Sequence, residues 1–215
     1  MTRIALIHAL AHSVAPINTA LARDWPEAVR MNLLDDSLSA DLAASGRGLD
    51  AAMHARFARL AQYAVDCGSQ GILFTCSAFG PCIEAVARQH APLPVLKPNE
   101  AMVADAVALG SPVGLIASFA PTLQSMPPEF PAGTQLHTAL VAEALAALNA
   151  GDGARHDALV AEAGEQLRQQ GAQVIALAQF SMARARDRVA ARTGLPVLTT
   201  VDSAVRALRG RLAKI

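Results

Sequence analysis

The sequence predicts an α/β protein made of two similar halves, each with a mainly parallel sheet. Short runs rich in Ile, Leu and Val alternate along the chain with longer amphipathic segments rich in Ala, Arg and Leu. This alternation is typical of parallel strands joined by helices. The order of the elements recurs about one half-chain later, which indicates a duplicated fold. A length of 215 residues suits one large domain or two halves that share a cleft.

The strands of the first half are predicted from short apolar runs that stop at polar or turn-forming residues. We place them at residues 3–8, 28–34, 71–75 and 94–97. Residues 49–66 are predicted to form a helix, because Met53, Phe57, Leu60 and Ala64 recur at three- to four-residue spacing. We expect this apolar face to pack on the sheet.

The second half repeats this order of elements. Its strands are placed at residues 112–117, 134–138, 173–178 and 196–198, and its helices at residues 154–170, 182–192 and 201–212. Two stretches of sequence repeat as well: "GSQGILFTC" from Gly68 resembles "GAQVIALAQ" from Gly171, and "LPVLKPNEA" from Leu93 resembles "LPVLTTVDS" from Leu195.

The repeat predicts two halves related by a pseudo-twofold axis. The first comprises residues 1–98 and is completed by the C-terminal segment 201–215, and the second comprises residues 99–200. Open α/β sheets bind ligands at the carboxyl ends of their strands. We therefore expect the active site in the cleft between the halves.

The composition favours a small molecule over a macromolecular partner. Eighteen basic residues balance eighteen acidic ones, and aromatic residues make up 4% of the chain, so neither charge nor stacking platforms point to nucleic acid. The longest uncharged stretch, residues 106–128, is interrupted by Gly and Pro, and no membrane span is predicted. Exposed apolar helix faces in such an Ala-rich chain make a homodimer reasonable.

The cysteine pattern and the N-terminus predict a cytoplasmic protein. Three cysteines give an odd count without a CxxC pair, which favours a reducing compartment over a disulfide scaffold. The short apolar run at the N-terminus is interrupted by His8 and His12, and we interpret it as a first strand and not as a secretion signal.

Cys76 is the main candidate for chemistry. Aligning the repeat places Cys76 eight residues after Gly68 and Gln179 eight residues after Gly171. Both residues are expected at the carboxyl end of a central strand with a helix just beyond, where backbone N–H groups favour anions and lower the pKa of a thiol. The alternative is that Cys76 is a small buried apolar residue. Cys67 and Cys82 fall within helical patterns, which favours structural roles.

Further polar residues follow the predicted strands. His8 ends the first strand and is expected either to bind substrate and assist Cys76 or to serve the structure. Ser13 and Asn18 are placed in the loop that follows it and are expected to bind substrate. Ser118 and Thr122 follow the strand at 112–117 and are expected either to bind a carboxylate or to stabilise a turn.

No metal and no cofactor are predicted. His8 and His12 form an HxxxH pattern, but the stretch is predicted as strand and loop and lacks a third ligand. Lys97 follows a strand, yet no phosphate-binding glycine loop accompanies it, so we interpret it as a charge at the cleft or a contact between the halves. Asn99 is expected to cap the helix after it.

These motifs carry a family resemblance. The strand that ends in Thr75-Cys76-Ser77, the N-terminal "IALIHALAHSVAPIN", the partner segment one half-chain later and the two-half layout are similar to the aspartate/glutamate racemase superfamily. Its members include amino-acid and hydantoin racemases, maleate isomerase and arylmalonate decarboxylase, and the resemblance covers essentially the whole chain. It implies cofactor-independent chemistry at a carbon next to a carboxylate, with one cysteine from each half on opposite sides of that carbon.

The resemblance also implies roles for particular residues. Cys76 matches the first cysteine, and Ser77 and Ala78 match positions whose hydroxyl or backbone N–H holds the substrate carboxylate. Thr75, next to them, is also expected to bind substrate. Gln179 occupies the place of the second cysteine, and an amide neither takes nor gives a proton at neutral pH. Ser181, two residues later, is the nearest hydroxyl that can replace it, either in proton transfer or in substrate binding.

Three functions remain open at this stage. The first is a cofactor-independent racemase or isomerase that acts on a small carboxylate of the amino-acid, hydantoin or dicarboxylate type, with Cys76 as base or nucleophile. The second is a decarboxylase or hydrolase of the same fold that uses Cys76 alone. The third is a carboxylate-binding protein that has lost catalysis, which the missing second thiol makes worth testing.

Overall fold

The structure is a computed structural model and describes residues 2–213. Contacts divide the chain into two compact units after Pro98 and after Ser203, so that the segment from Ala204 onward groups with the first unit. Residues 1, 214 and 215, which the predicted first half included, lie outside the described residues. Both units are α/β, and each contains a four-stranded parallel sheet with flanking helices.

The first unit carries a sheet of order β2-β1-β3-β4. The central strands β1 and β3 pair directly, with Leu6 opposite Leu73. The strands are β1 (Arg3–His8), β2 (Val29–Leu34), β3 (Gly71–Phe74) and β4 (Val95–Leu96). The helices that begin in this unit are α1 (Val14–Asp24), α2 (Ser37–Ser45), α3 (Ala51–Asp66) and α4 (Gly80–Gln89).

The second unit repeats this topology with the order β6-β5-β7-β8. Its strands are β5 (Val113–Ala117), β6 (Leu136–Leu140), β7 (Val174–Leu177) and β8 (Val197–Thr199). Its helices are α5 (Glu100–Ala108), α6 (Ala120–Ser125), α7 (Ala142–Asn149), α8 (Gly153–Gln169) and α9 (Arg186–Thr193), and α10 (Thr200–Leu212) starts here. Every residue of β5 and β7 is buried, as expected for central strands covered on both faces.

Most predicted strands agree with the structure to within one residue at each end. The exception is β6, which was expected at 134–138 and is found two residues later. Thr134 donates through its backbone N–H and its hydroxyl to the carbonyl of Pro131, at 3.1 and 2.8 Å. Thr134 therefore closes the turn before the strand and does not pair in the sheet.

Two predicted helices start differently. The side chain of Asp50 accepts a hydrogen bond from the N–H of Met53 at 2.9 Å, so α3 begins at Ala51 and not at residue 49. Its buried face includes Ala61 where Leu60 was expected. The helix predicted at 182–192 is divided into a 3-10 turn over Phe180–Ala185, most of which is buried, and α9.

The two glycines that lead the sequence repeat have equivalent backbone conformations. Gly68 has φ = 76° and Gly171 has φ = 105°, each between the helix before a central strand and that strand. A side chain is strained in this region, which explains why glycine stands at both places. Cys76 and Gln179 each follow the last residue of their strand, β3 and β7, by two positions.

No helix within residues 2–213 is long and apolar enough to cross a membrane.

Candidate active site

Cys76 lies at the carboxyl end of β3 in extended backbone conformation and precedes a 3-10 turn over Ser77–Phe79 that leads into α4. Aromatic side chains on both sides of it hold this loop in place. The rings of Phe57 and Phe74 are stacked with centroids 5.2 Å apart, and Phe57 lies 4.9 Å from the ring of Phe79. The loop is thus anchored to α3 by buried aromatic contacts.

The sulfur of Cys76 has two polar neighbours. The backbone N–H of Ala78 donates to it, and the hydroxyl oxygen of Ser39 lies 4.0 Å from Sγ. The thiol also borders a small pocket whose lining is mostly apolar, with Leu38, Phe57 and Phe74 among its residues.

Burial raises the pKa of the Cys76 thiol above its ordinary value, and the hydrogen bonds from Ala78 and Ser39 oppose this only in part. The sequence led us to expect a lowered pKa from the strand-end position. The effect of burial outweighs that of the Ala78 N–H and the Ser39 hydroxyl, so the thiol is protonated at neutral pH. Cys82 is buried in α4, where burial and then the Asp50 carboxylate raise its pKa to about 11, which suits a structural residue.

His8 belongs to a chain of hydrogen bonds beside Cys76 that runs from the buried Thr75 to the exposed Asn32. Its Nδ1 atom lies 2.8 Å from the hydroxyl of Thr75, and its Nε2 atom lies 3.0 Å from the Oδ1 of Asn32. Burial lowers the pKa of His8, against a smaller opposing effect of the Asn32 hydrogen bond. The ring is therefore neutral at pH 7, with Nε2–H donating to Asn32 and Nδ1 accepting from Thr75.

The chain of hydrogen bonds continues to Asn18. The amide of Asn18 donates to Asn32 Oδ1 and to the carbonyl of Val14, both at 2.8 Å. Asn18 lies within α1, and Ser13 ends a 3-10 turn over Ala11–Ser13, so the loop predicted for both residues is helical instead. Pro16 is compatible with this because it falls in the first turn of α1, where a backbone N–H is not needed.

The residues after Cys76 are buried. Ser77 and Ala78 are each 3% exposed. The N–H of Ala78, which the resemblance assigns to the substrate carboxylate, is directed to the Cys76 sulfur. This part of the loop therefore stabilises negative charge on sulfur.

In the second unit, Gln179 is held by Ser118. The Oε1 atom of Gln179 accepts hydrogen bonds from the backbone N–H of Ser118 at 2.6 Å and from its hydroxyl at 3.1 Å. The oxygen is fully used, so the Nε2 group is the part of this half-buried amide that remains to donate.

The other two hydroxyls predicted in this unit are buried. Ser181 is 2% exposed, and its Oγ atom has no hydrogen-bond partner within residues 2–213. No base therefore activates Ser181 in the described part of the chain. Thr122 is 1% exposed and lies inside α6, one turn beyond Ser118.

Lys97 and Asn99 lie at the junction of β4 and α5, and Asn99 differs from its expected role. Lys97 forms an ion pair with Glu84 of the same unit at 2.8 Å. Asn99 stands at the N-cap position of α5, but its side chain makes no capping hydrogen bond and is fully buried. Among the described residues, no group of His, Cys, Asp and Glu side chains is arranged to hold a metal ion.

Sequence reasoning missed Ser39 and Asn32. Asn32 alternates with apolar residues along β2, and Ser39 lies in "DDSLSADL", whose helix has only two buried residues, Leu38 and Leu42. No helix was predicted for this segment, and nothing in the local pattern indicated that Ser39 faces Cys76.

Comparison with known proteins decides the family. The sequence profile of the Asp/Glu/Hydantoin racemase family matches residues 11–208. The chain belongs to this family. Its members include enzymes that racemise amino acids and hydantoins, which agrees with the resemblance stated from the Cys76 motif. A search of curated protein sequences returned no significant match.

Solved structures of racemases share the fold. Allantoin racemase from Klebsiella pneumoniae superposes with a TM-score of 0.72 at 16% identity, covering 100% of this chain and 89% of that one. Glutamate racemase from Francisella tularensis in complex with D-glutamate gives 0.74 at 15% identity, covering 99% and 81%. Unliganded arylmalonate decarboxylase gives 0.62 at 16% identity, covering 99% and 93%. The family fold therefore hosts both racemases and a decarboxylase.

Proposed function

We propose that the protein is a cofactor-independent racemase or isomerase of a small carboxylate, with Cys76 as its base or nucleophile. The observation that carries the proposal is the Cys76 sulfur at the carboxyl end of β3, which accepts from the Ala78 N–H and lies 4.0 Å from the Ser39 hydroxyl. Donors fixed around one sulfur stabilise the thiolate that forms when the thiol gives up its proton. Membership of a racemase family supports this assignment.

We propose that the substrate is an amino acid, a hydantoin-like ring or a dicarboxylate. Two proteins with the same fold support this: a glutamate racemase that was solved in complex with D-glutamate, and an allantoin racemase. On the first unit, we assign carboxylate binding to Ser77. On the second unit, we assign it to the Nε2 group of Gln179, which the Ser118 hydrogen bonds orient, and to the Ser181 hydroxyl.

A single thiol limits the outcome of the reaction. The Cys76 thiol, which is neutral at rest, first loses its proton to solvent water. The thiolate then removes the proton from the carbon next to the carboxylate, the electron pair is delocalised into the carboxylate, and the thiol so formed returns a proton to the same face. Inversion requires a second proton carrier on the other face, and the Gln179 amide cannot be one. Ser181 is the candidate, although it lacks an adjacent base.

A decarboxylase is the second candidate, and the raised pKa of Cys76 favours it. In that reaction the carbon–carboxylate bond breaks, carbon dioxide leaves, and the electron pair stays on the carbon. The protonated thiol then donates its proton to that carbon, and water protonates the sulfur again. A thiol that is neutral at rest suits the donor role, and arylmalonate decarboxylase has the same fold.

Isotope exchange tests both candidates. The enzyme is incubated in deuterated water with amino acids, hydantoins, dicarboxylates and arylmalonates, and products are followed by mass spectrometry and chiral chromatography. A racemase or isomerase exchanges the proton next to the carboxylate without losing carbon dioxide. A decarboxylase releases carbon dioxide and incorporates one deuteron.

Cys76→Ala should abolish either reaction, whereas Cys67→Ala, which changes the half-buried thiol at the end of α3, should retain it. Full turnover by a folded Cys76→Ala variant would overturn the proposal. The three cysteines are free in the structure. We therefore also propose that the protein works in a reducing compartment such as the cytoplasm.

A further inference from the structure

Helix α2 brings a hydroxyl to the sulfur of Cys76. Ser39, in the first turn of this helix, is half-buried, and its Oγ atom lies 4.0 Å from Sγ. This distance is at the long limit for a hydrogen bond to a neutral sulfur. Donors approach more closely when the acceptor carries a charge. The contact is thus positioned to strengthen when the thiol becomes a thiolate.

One guanidinium on α3 holds α2 in this position. The Nη2 atom of Arg56 lies 2.6 Å from the Oδ2 of Asp35 and 2.5 Å from the hydroxyl of Ser37, and Nη1 lies 2.5 Å from the Oδ2 of Asp41. Arg56 therefore contacts Asp35, two residues before the start of α2, as well as the first residue and the second turn of that helix. A guanidinium that joins several acceptors in this way gives more stabilisation than an isolated surface ion pair.

The geometry of the helix relates these contacts to Ser39. Successive residues of an α-helix are rotated by about 100°, so Ser37 and Asp41 share a face while Ser39 is turned about 200° from Ser37. The two buried apolar residues of α2 are Leu38 and Leu42. With so small an apolar contact, the Arg56 interactions are a major part of what fixes the rotation of α2.

The contacts of Arg56 also affect the pKa of Asp35, just before α2. Partial burial alone would raise the pKa of Asp35, but the hydrogen bonds from Ser37 and Arg56 and the charge of Arg56 hold it below its usual value. Asp35 is therefore ionised at neutral pH, as the ion pair with Arg56 requires.

We propose that Ser39 is a further catalytic residue, whose hydroxyl donates a hydrogen bond to the charged Cys76 sulfur, and that Arg56 is a positioning residue that holds Ser39 there through α2. The Cys76 sulfur is negatively charged before it accepts a proton from a substrate carbon and after it donates one. In both states two hydrogen-bond donors, the Ser39 hydroxyl and the Ala78 N–H, stabilise this charge. This role rests on the proposed function of Cys76. His8, the other titratable residue that borders the same pocket, is neutral and contributes no charge.

The experiment is alkylation of Cys76 by iodoacetamide as a function of pH, followed by peptide mass spectrometry in the full-length protein. In Ser39→Ala we expect the rate of Cys76 alkylation, at a fixed pH below the midpoint of the thiol titration, to fall about tenfold. The reason is that the thiolate loses a hydrogen bond to a charged group. Ser39→Thr keeps the hydroxyl and should keep the wild-type profile. Arg56→Gln should shift the profile in the direction of Ser39→Ala, while Arg59→Gln, an exposed arginine one turn further along α3, should leave it unchanged.

The outcomes separate this inference from the proposed function. An unchanged alkylation profile in Ser39→Ala overturns the inference, even if Cys76→Ala abolishes turnover. An active Cys76→Ala variant overturns the proposed function, even if the profile shifts. If Ser39→Ala unfolds, the comparison of Arg56→Gln with Arg59→Gln still decides: equal profiles in these two variants overturn the inference.

Discussion

Gln179 and Ser118 are joined by two hydrogen bonds to one atom: the Oε1 of Gln179 lies 2.6 Å from the Ser118 nitrogen and 3.1 Å from its hydroxyl. The pair links the loop after β7 to the loop after β5. It leaves the amide nitrogen of Gln179 to donate, at the position where the family resemblance implies a second thiol.

The first prediction concerns that missing thiol. In Gln179→Cys, a group that can carry a proton replaces one that cannot, so we expect exchange with inversion to increase about tenfold or more over the wild-type protein. Chiral analysis of the product in deuterated water measures it. Gln179→Ala removes the same Ser118 hydrogen bonds without adding a thiol. Equal inversion rates in the two variants would contradict the prediction.

The second prediction concerns His8 and pH. The pKa of His8 is lowered in the folded protein from 6.5, so below that pH the unfolded chain binds a proton that the folded protein does not. The free energy of unfolding should therefore decrease as pH falls from 6.5 toward the lower folded-state pKa, and this contribution should be constant above 6.5.

Urea titrations at a series of pH values check the His8 prediction. His8→Gln removes the titrating group, so its pH dependence in this range should be weaker than that of the wild type. The variant should also be less stable at high pH by about 1–3 kcal/mol, because Thr75 and Asn32 lose a buried partner. His54→Gln, on α3, is the matched control. An identical slope in His8→Gln and in the wild type would exclude His8 as the cause.

The third prediction concerns the aromatic cluster that anchors the Cys76 loop. Phe57 is 2% exposed, stacks on Phe74 and contacts the ring of Phe79 in a tilted arrangement. Phe57→Ala should reduce the free energy of unfolding by about 3–5 kcal/mol, through lost burial and the cavity left behind. Phe57→Leu should cost less, since it fills most of that space. Urea unfolding measures both, and a loss below about 1 kcal/mol in Phe57→Ala would show that the cluster is not tightly packed.

The fourth prediction compares two glycines. Gly171 has φ = 105° at the turn before β7, so Gly171→Ala should destabilise the protein by about 1–2 kcal/mol. Gly210 lies exposed within α10 with open space around it, so Gly210→Ala should stabilise by about 0.5–1 kcal/mol. Opposite shifts of the thermal midpoint are expected. Shifts of the same sign would show that backbone conformation does not control these two sites.

The duplicated fold was predictable because its signals are local. Central parallel strands are buried on both faces and read as continuous apolar runs, and β5 and β7 lie where those runs placed them. The alignment of Cys76 with Gln179 was also based on a local signal, the glycines that lead the repeat. Glycine stands at both places because the backbone there has a positive φ. β6 was misplaced because Thr134 has a high strand propensity but is used by a turn.

The partners of the site residues were not predictable, because they come from distant parts of the chain. Ser39 is 37 positions from Cys76, and Asn32 is 24 positions from His8. Neither has a local motif. The direction of the Cys76 pKa was also predicted wrongly, because strand-end position is visible in sequence whereas the apolar lining by Leu38, Phe57 and Phe74 is not.

The sequence by itself determined the α/β class, the two repeated sets of strands, the racemase family and Cys76 as the reactive candidate. These depend on the periodicity of apolar residues, on glycine conformation and on short motifs, all of which are properties of neighbouring residues. The tertiary structure alone decided that Cys76 is protonated at rest, that Ser39 and Ala78 surround its sulfur, and that Ser118 orients Gln179. Desolvation and hydrogen bonding depend on which distant side chains fill the space around a group, and only folding brings those side chains together.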